Sequence, residues 1–221
     1  MPLDLALNPK LTREDIIIGK SNRAAVELID LWPAWPSPIV VLAGPKGSGK
    51  THLARAWAAR ANAVMLEIAE ISSFPTSSQT FFIEDIGEAA LDETALFHLV
   101  NSVRQQGGSL LLTSKLPPTA WNIALPDLKS RLQAATIVEI SEPDDELLLA
   151  VLGKLFADRQ VIVEANVSEY LVTRMERSFS EAVRIVTALD ALALEKRARI
   201  TRSLAASIFA AGDPRQAELG F

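Results

Sequence analysis

Three stretches of this chain combine residue types and spacings that could do chemistry. Gly44-Pro45-Lys46-Gly47-Ser48-Gly49-Lys50-Thr51 fits the pattern G-x-x-x-x-G-K-[ST] at every fixed position, which suits the enclosure of a phosphate chain. Its glycines permit backbone angles that turn amide N–H groups towards a β-phosphate, and a following helix start adds positive potential. Lys50 would neutralise β and γ oxygens, and the Thr51 hydroxyl would coordinate magnesium. Phe81-Phe82-Ile83-Glu84-Asp85 is an apolar run ending in two carboxylates. One of Glu84 and Asp85 should hold the metal shell and the other should orient a water for attack on a γ-phosphate. Ser109-Leu110-Leu111-Leu112-Thr113-Ser114 is a third apolar run, and it ends in hydroxyls that could lie beside those acids and sense the phosphate. Taken alone it says little, because Ser and Thr commonly finish strands.

The elements around these residues set them at one edge of a sheet. IVVLA (39–43) directly before the glycine loop reads as a buried strand, and THLARAWAARAN (51–62) directly after it reads as a helix, the strand–loop–helix setting that the motif requires. VMLEI (64–68), TFFIED (80–85), SLLLT (109–113) and TIVEI (136–140) are further short β-rich runs alternating with helical stretches. Continuous apolar strands separated by helices imply a parallel sheet covered on both faces. Because VMLEI lies between the glycine loop and the acidic run, the acids sit one strand further along the chain than in the simplest phosphate-loop folds. Ahead of the sheet, SNRAAVELIDLW (21–32) predicts a helix capped by Ser21 or Asn22 and ending before Pro33. Beyond residues 141–143 the β pattern stops, and helices are expected over 144–159, 168–176, 179–197 and 201–210, with Asp144 and Ser168 or Ser180 as caps.

Composition narrows the classes. The 221 residues are 49% hydrophobic and 22% charged, enough for a sizeable core in one medium domain with a small appendage or in two lobes. No apolar run approaches a membrane span of roughly 18 residues, no basic stretch and apolar region open the chain, and there is no cysteine. A cytoplasmic location is the default expectation. The net charge of −5 argues against a surface that is all nucleic-acid footprint. A local basic group, Lys196, Arg197, Arg199 and Arg202, reads as a solvated helix face or as a DNA or partner contact. His52 and His98 have no companion at metal-binding spacing, and Trp32, Trp35, Trp57 and Trp121 read as core or lobe-junction aromatics.

With these residues in view, a resemblance becomes specific. Ile17-Ile18-Gly19-Lys20-Ser21-Asn22-Arg23-Ala24, the phosphate loop, the Thr-Ser-x-x-Pro-Pro string from Thr113 and Leu128-Lys129-Ser130-Arg131 resemble, in order and spacing, successive boxes of the DnaA ATPase module. Arg177-Ser178-Phe179-Ser180-Glu181-Ala182-Val183 resembles the sensor 2 segment of that family, and Ala198-Arg199-Ile200-Thr201 resembles the lead-in to its last lid helix. The similarity runs from about residue 15 to 210, and the chain stops where a DnaA initiator would continue into an origin-binding domain. In that respect it is similar to the Hda-type, DnaA-related AAA+ regulators.

The resemblance implies an α/β P-loop NTPase of the AAA+ class, a five-stranded parallel sheet with helices on both faces, followed by a small all-α lid. The implied divisions are an N-terminal tail at 1–14, a nucleotide-binding domain at 15–141 and a lid at 142–221. ADP or ATP with Mg2+ is the implied ligand. Ile18 and Asn22 would lie near the adenine, the stretch from Gly44 to Thr51 and His52 would line the phosphates, and Arg177 would reach them from the lid as sensor 2. Thr113 or Ser114 would be sensor 1. Arg131 would be an arginine finger that points out of its own subunit and completes a neighbour's site.

The implied partners are the DnaA initiator and the DNA-loaded sliding clamp, with a homodimer and an indirect or weak DNA contact also compatible, and no membrane. Clamp-binding peptides of this family resemble Gln-Leu-x-Leu-x-Leu. Leu3, Leu5 and Leu7 offer the alternating leucines, either with Pro2 in the glutamine position or with the motif beginning before Met1. Glu84 stands where the DnaA relatives usually carry aspartate, which shifts the balance towards holding nucleotide over turning it over. The expected function is negative regulation of replication initiation by stimulating ATP hydrolysis on DnaA. The alternatives are a self-sufficient DNA-associated ATPase, such as a helicase loader or initiator paralogue, and a nucleotide-insensitive scaffold.

Overall fold

The computed structural model describes residues 13–75, 79–87 and 91–211. Leu3, Leu5 and Leu7 lie outside the described residues. The chain divides into two compact units, Met1–Ser141 and Glu142–Phe221.

The first unit is built on five parallel strands in the order β2-β3-β4-β1-β5, where β1 is Ile39–Ala43, β2 Val64–Met65, β3 Thr80–Ile83, β4 Ser109–Ser114 and β5 Thr136–Glu139. Strand side chains alternate between faces, so a run that is apolar throughout must find a hydrophobic layer on each side. On one face Ile39, Val41, Phe81, Ile83, Leu110 and Leu112 pack with α3 (Glu93–Gln106) and α4 (Pro126–Gln133) through Leu96, Leu99, Val100, Leu128 and Leu132. On the other, Val40, Leu42, Phe82 and Leu111 meet α1 (Arg23–Leu31) and α2 (Lys50–Ala61) through Val26, Ile29, Leu53 and Trp57. Trp57 is wholly buried and stacks on Trp35 at 4.9 Å between ring centroids, with Trp32 edge-on at 6.3 Å. Trp121 belongs to the opposite face.

Two local expectations change. The strand expected over 64–68 stops at Met65, and Ile68–Ser73 forms a 3-10 helix instead. Its three-residue turn puts Ile68 and Ile71 on one side, and Ile71 is fully buried in the core beneath α3. Asn22 stands at the cap position of α1, yet its side chain makes no capping bond and is committed to the preceding turn.

The N-terminal 3-10 turn Arg13–Asp15 is tied to α1 by Arg13, whose Nε and Nη2 donate to the two Asp30 oxygens at 2.7 and 2.6 Å. This fork holds the Asp30 carboxyl below its ordinary value of 3.8. A lowered folded-state value means that the pair adds stability at pH values above the unfolded aspartate range and loses it as acid protonates Asp30. The thermal midpoint of the Asp30→Asn variant should therefore fall less steeply with acidification below about pH 5 than that of the parent. Both side chains are more than a third exposed, so the difference should shrink as salt is raised.

Among the described residues the second unit is four helices around one core: α5 (Asp145–Asp158), α6 (Ala165–Val172), α7 (Phe179–Lys196) and α8 (Arg202–Ala211). Leu148, Leu152 and Phe156 of α5 meet Val167 and Leu171 of α6 and Ile185, Val186 and Leu189 of α7. Asp144 caps α5 through the Leu147 amide. The other two caps differ from expectation. Helix α6 begins at Ala165 after Glu164, which leaves Ser168 inside it. Helix α7 is capped by Ser178, which accepts from the Glu181 amide at 3.1 Å in a Ser-x-x-Glu arrangement, and Ser180 falls in its first turn. Among the described residues no helix is long and apolar enough to cross a membrane.

Candidate functional site

Parallel strands end together, and ligands of such sheets lie beyond those ends. Here Ala43 of β1 is level with Ser114 of β4, and Ile83 of β3 is level with Leu112, so Glu84 and Asp85 emerge beside Thr113 and Ser114. Because β4 runs between β1 and β3, the hydroxyl pair stands between the glycine loop and the acids. The Gly44 amide donates to the Ser114 carbonyl at 3.1 Å, and the Ile86 amide donates to the Thr113 carbonyl at 2.8 Å.

In the loop, Gly49 takes a φ of +95° as the residue before α2, a left-handed conformation that a side chain would strain. Gly44 is needed for a different reason. A Cβ there would collide with the backbone carbonyl of Ile140, just past β5. Lys50 is buried, and its Nζ donates to the Gly44 and Pro45 carbonyls at 2.7 and 2.8 Å, folding back over the loop. Thr51 and His52 are half-buried in the first turn of α2.

The two acids have different surroundings. Glu84 is half-buried and one oxygen accepts from Arg55 Nη2 at 3.0 Å, while the other is buried without a hydrogen-bond partner among the described residues. Asp85 is exposed and has a φ of +49°, and its amide donates to Thr113 Oγ1 at 2.9 Å. The Ser114 hydroxyl accepts from Trp121 Nε1 at 3.1 Å and from the Leu116 amide at 3.3 Å. Of the two sensor 1 candidates, therefore, Thr113 is bonded to the acidic turn and Ser114 to the loop after β4. Thr113 is fully buried, so Thr113→Val should leave the Asp85 amide unpaired in its left-handed turn. We expect that variant to lose about 1–3 kcal/mol in urea unfolding, with Thr113→Ser close to the parent.

Asn22 is buried and grips its own turn. Its Oδ1 accepts from the Gly19 amide and its Nδ2 donates to the Ile17 carbonyl, both at 2.8 Å. The residue between them, Ile18, is thereby held outward, 45% exposed. This turn adjoins the strand ends, since the Ser141 amide donates to the Ser21 carbonyl and the Ile140 amide to that of Ala43. Arg131, near the end of α4, is half-buried, and its Cζ lies 5.3 Å from the centroid of Phe97. In the second unit, Arg177 is exposed and pairs with Asp145 at 2.7 Å.

Ile18, Asn22, the loop from Gly44 to Thr51, Glu84, Asp85, Thr113 and Ser114 thus share one unit, and all but Ile18 and Asn22 close a strand or follow directly from a strand end. Arg55, Glu93 and Phe97 escaped sequence reasoning, and Trp121, read as a core or lobe-junction aromatic, is a core residue that also bonds Ser114. Only Arg55 carried a signal, since it lies four residues after Thr51 on the same helix face. The residues fit a phosphate chain with a divalent cation. Buried polar atoms are nearly always satisfied, and Ser48 Oγ and Glu84 Oε1 are buried without partners among the described residues. Among the described residues no three His, Cys, Asp or Glu side chains are grouped so that they could hold a metal ion on their own.

No family model matches the chain. It is 28% identical over 239 residues to the chromosomal replication initiator protein DnaA of Thermomicrobium roseum, covering 95% of this chain and 51% of that protein. The chain spans about half the length of the DnaA proteins it matches. Domain III of the Thermotoga maritima replication initiation protein DnaA superposes with a TM-score of 0.77 at 18% identity, over 90% of this chain and 95% of that one. AMPPCP-bound DnaA from Aquifex aeolicus superposes with a TM-score of 0.69 at 21% identity, over 85% of this chain and 66% of that one. Together with the strand order, these likenesses show that the chain has a P-loop fold like that of DnaA domain III and is similar in sequence to DnaA proteins.

Proposed function

We propose that this chain binds ADP or ATP with Mg2+ and acts as a regulator of replication initiation, stimulating ATP hydrolysis on a DnaA partner together with the DNA-loaded sliding clamp. In this reading the loop amides and Lys50 hold the phosphates, with Lys50 exchanging its two loop carbonyls for phosphate oxygens. The Thr51 hydroxyl and the Glu84–Asp85 turn hold Mg2+, which neutralises phosphate charge when bound. Thr113 keeps that turn in register, and Ile18, held outward by Asn22, offers an apolar contact to the base. With one Glu84 oxygen committed to Arg55, the chain holds its nucleotide and turns it over weakly. Leu3, Leu5 and Leu7 would engage the clamp.

The observation that carries the reading is Arg131, a half-buried guanidinium without an ion-pair partner among the described residues, supported on a ring. Such a group is available to an anion brought by another subunit. The test is ATP hydrolysis by DnaA with this protein, the clamp and DNA added separately and together. Stimulation confined to the complete mixture is expected, and an unchanged DnaA rate in that mixture would reject the reading.

One observation favours a second reading, a DNA-associated ATPase that works alone. Arg174 and Arg202 lie 4.1 and 5.0 Å from the Tyr170 centroid, both exposed, on a unit that also exposes Lys196, Arg197 and Arg199. Here ATP turnover by the purified chain should rise with single-stranded DNA and lose that response in an Arg174→Ala, Arg202→Ala double variant.

A further inference from the structure

One face of α3 holds α4 near both of its ends. Glu93, in the first turn of α3, accepts from the Ala124 amide at 2.9 Å and the Leu125 amide at 2.6 Å, the two N–H groups leading into α4. Pro126 follows without an N–H, so the carboxylate takes the donors available at that approach. Four residues on, and therefore on the same side of α3, Phe97 lies beneath the Arg131 guanidinium near the far end of α4. Glu93, Phe97 and Arg131 are all half-buried. A long arginine side chain normally loses much rotamer freedom when it docks on an anion. An aromatic face beneath the guanidinium limits that freedom beforehand, and among the described residues the N–H fork is not paired with a carboxylate.

We propose that Glu93 and Phe97 are positioning residues for Arg131. Glu93 sets where α4 starts and Phe97 sets the direction of the guanidinium, so that the arginine meets the phosphate of a nucleotide bound to the partner with its side chain already ordered. This rests on the reading of Arg131 given above. It adds that the aromatic character of residue 97, beyond its bulk, matters to the reaction. Packing alone would be served by leucine, because Phe97 is one of several partly buried residues against a large core.

The test uses the full chain with DnaA, clamp and DNA, and compares Phe97→Leu, Phe97→Tyr, Glu93→Gln and Arg131→Ala. Phe97→Leu should lower the maximal stimulated rate about 2- to 5-fold, with the concentration for half-maximal stimulation and nucleotide affinity unchanged and the thermal midpoint close to that of Arg131→Ala, which loses the same ring contact. Phe97→Tyr should restore the rate, and Glu93→Gln should reduce it. In an Arg131→Ala background, Phe97→Leu should have no further effect. A direct signature is the Arg131 Nε–Hε resonance, which the ring should shift upfield in the parent and in Phe97→Tyr, and release in Phe97→Leu. Full stimulation by Phe97→Leu beside an inactive Arg131→Ala would overturn this inference and leave the finger reading standing. Normal stimulation by Arg131→Ala would overturn the finger reading itself, and with it any catalytic consequence of the ring contact.

Discussion

Arg131→Ala is expected to abolish stimulation of DnaA ATP hydrolysis while leaving the chain folded and its own nucleotide bound. An arginine supplied in trans to a phosphoryl-transfer site is worth about 10³–10⁵ in rate, or roughly 4–7 kcal/mol of transition-state stabilisation. The structural cost should be small. The guanidinium lies against the Phe97 ring, and loss of a contact of that kind shifts stability by about 0.5–1 kcal/mol. Arg131→Lys should recover little, because an ammonium lacks the planar fork that grips two phosphate oxygens at once. The measurement is single-turnover hydrolysis of ATP on DnaA in the complete mixture, beside ADP binding by the isolated variant. Parallel loss of both would show that Arg131 serves the chain's own fold or site.

The second large effect belongs to Lys50, and it has the opposite profile. If Lys50 grips the phosphates as proposed, removing this buried cation should weaken nucleotide binding by about 2–5 kcal/mol, which is roughly 30- to several-thousand-fold in Kd. Lys50→Ala should also unsettle the nucleotide-free loop, because Nζ bridges the Gly44 and Pro45 carbonyls. ADP titration followed by thermal midpoint separates the two contributions. The parent should gain stability with ligand in proportion to the logarithm of its concentration, whereas the variant should start lower and gain almost nothing. A variant that still gains as much as the parent would mean that the phosphates lie elsewhere.

The architecture was legible wherever burial on both faces forced a continuous apolar run, as in β1, β3 and β4. At the sheet's edge β2 needed less. Met65 is 43% exposed, so the VMLEI run had only one layer to satisfy, and the chain turns instead into a 3-10 helix that buries Ile71 fully. The phosphate loop could be read because its angles demand glycine, and the acids because they close an apolar strand. Arg131 could be picked out only by resemblance, since on a short helix an arginine is a surface residue by type. What holds these groups in place was hidden for another reason. Glu93 reaches amides 31 and 32 residues away, and the Thr113 hydroxyl meets Asp85 across 28 residues, pairings that no local period encodes. The α7 cap is a different case. Ser178 and Glu181 form a local Ser-x-x-Glu signature, and nearby Ser180 competed for the same role.

The indoles beneath the loop helix turn the chain into its own optical probe. Trp57 lies two turns below Lys50, wholly enclosed, with its Nε1 unbonded among the described residues and its ring stacked on Trp35. Such an indole emits towards the blue and exchanges excitation with its neighbour, so α2 carries a fluorophore whose colour reports whether that end of the helix stays dry.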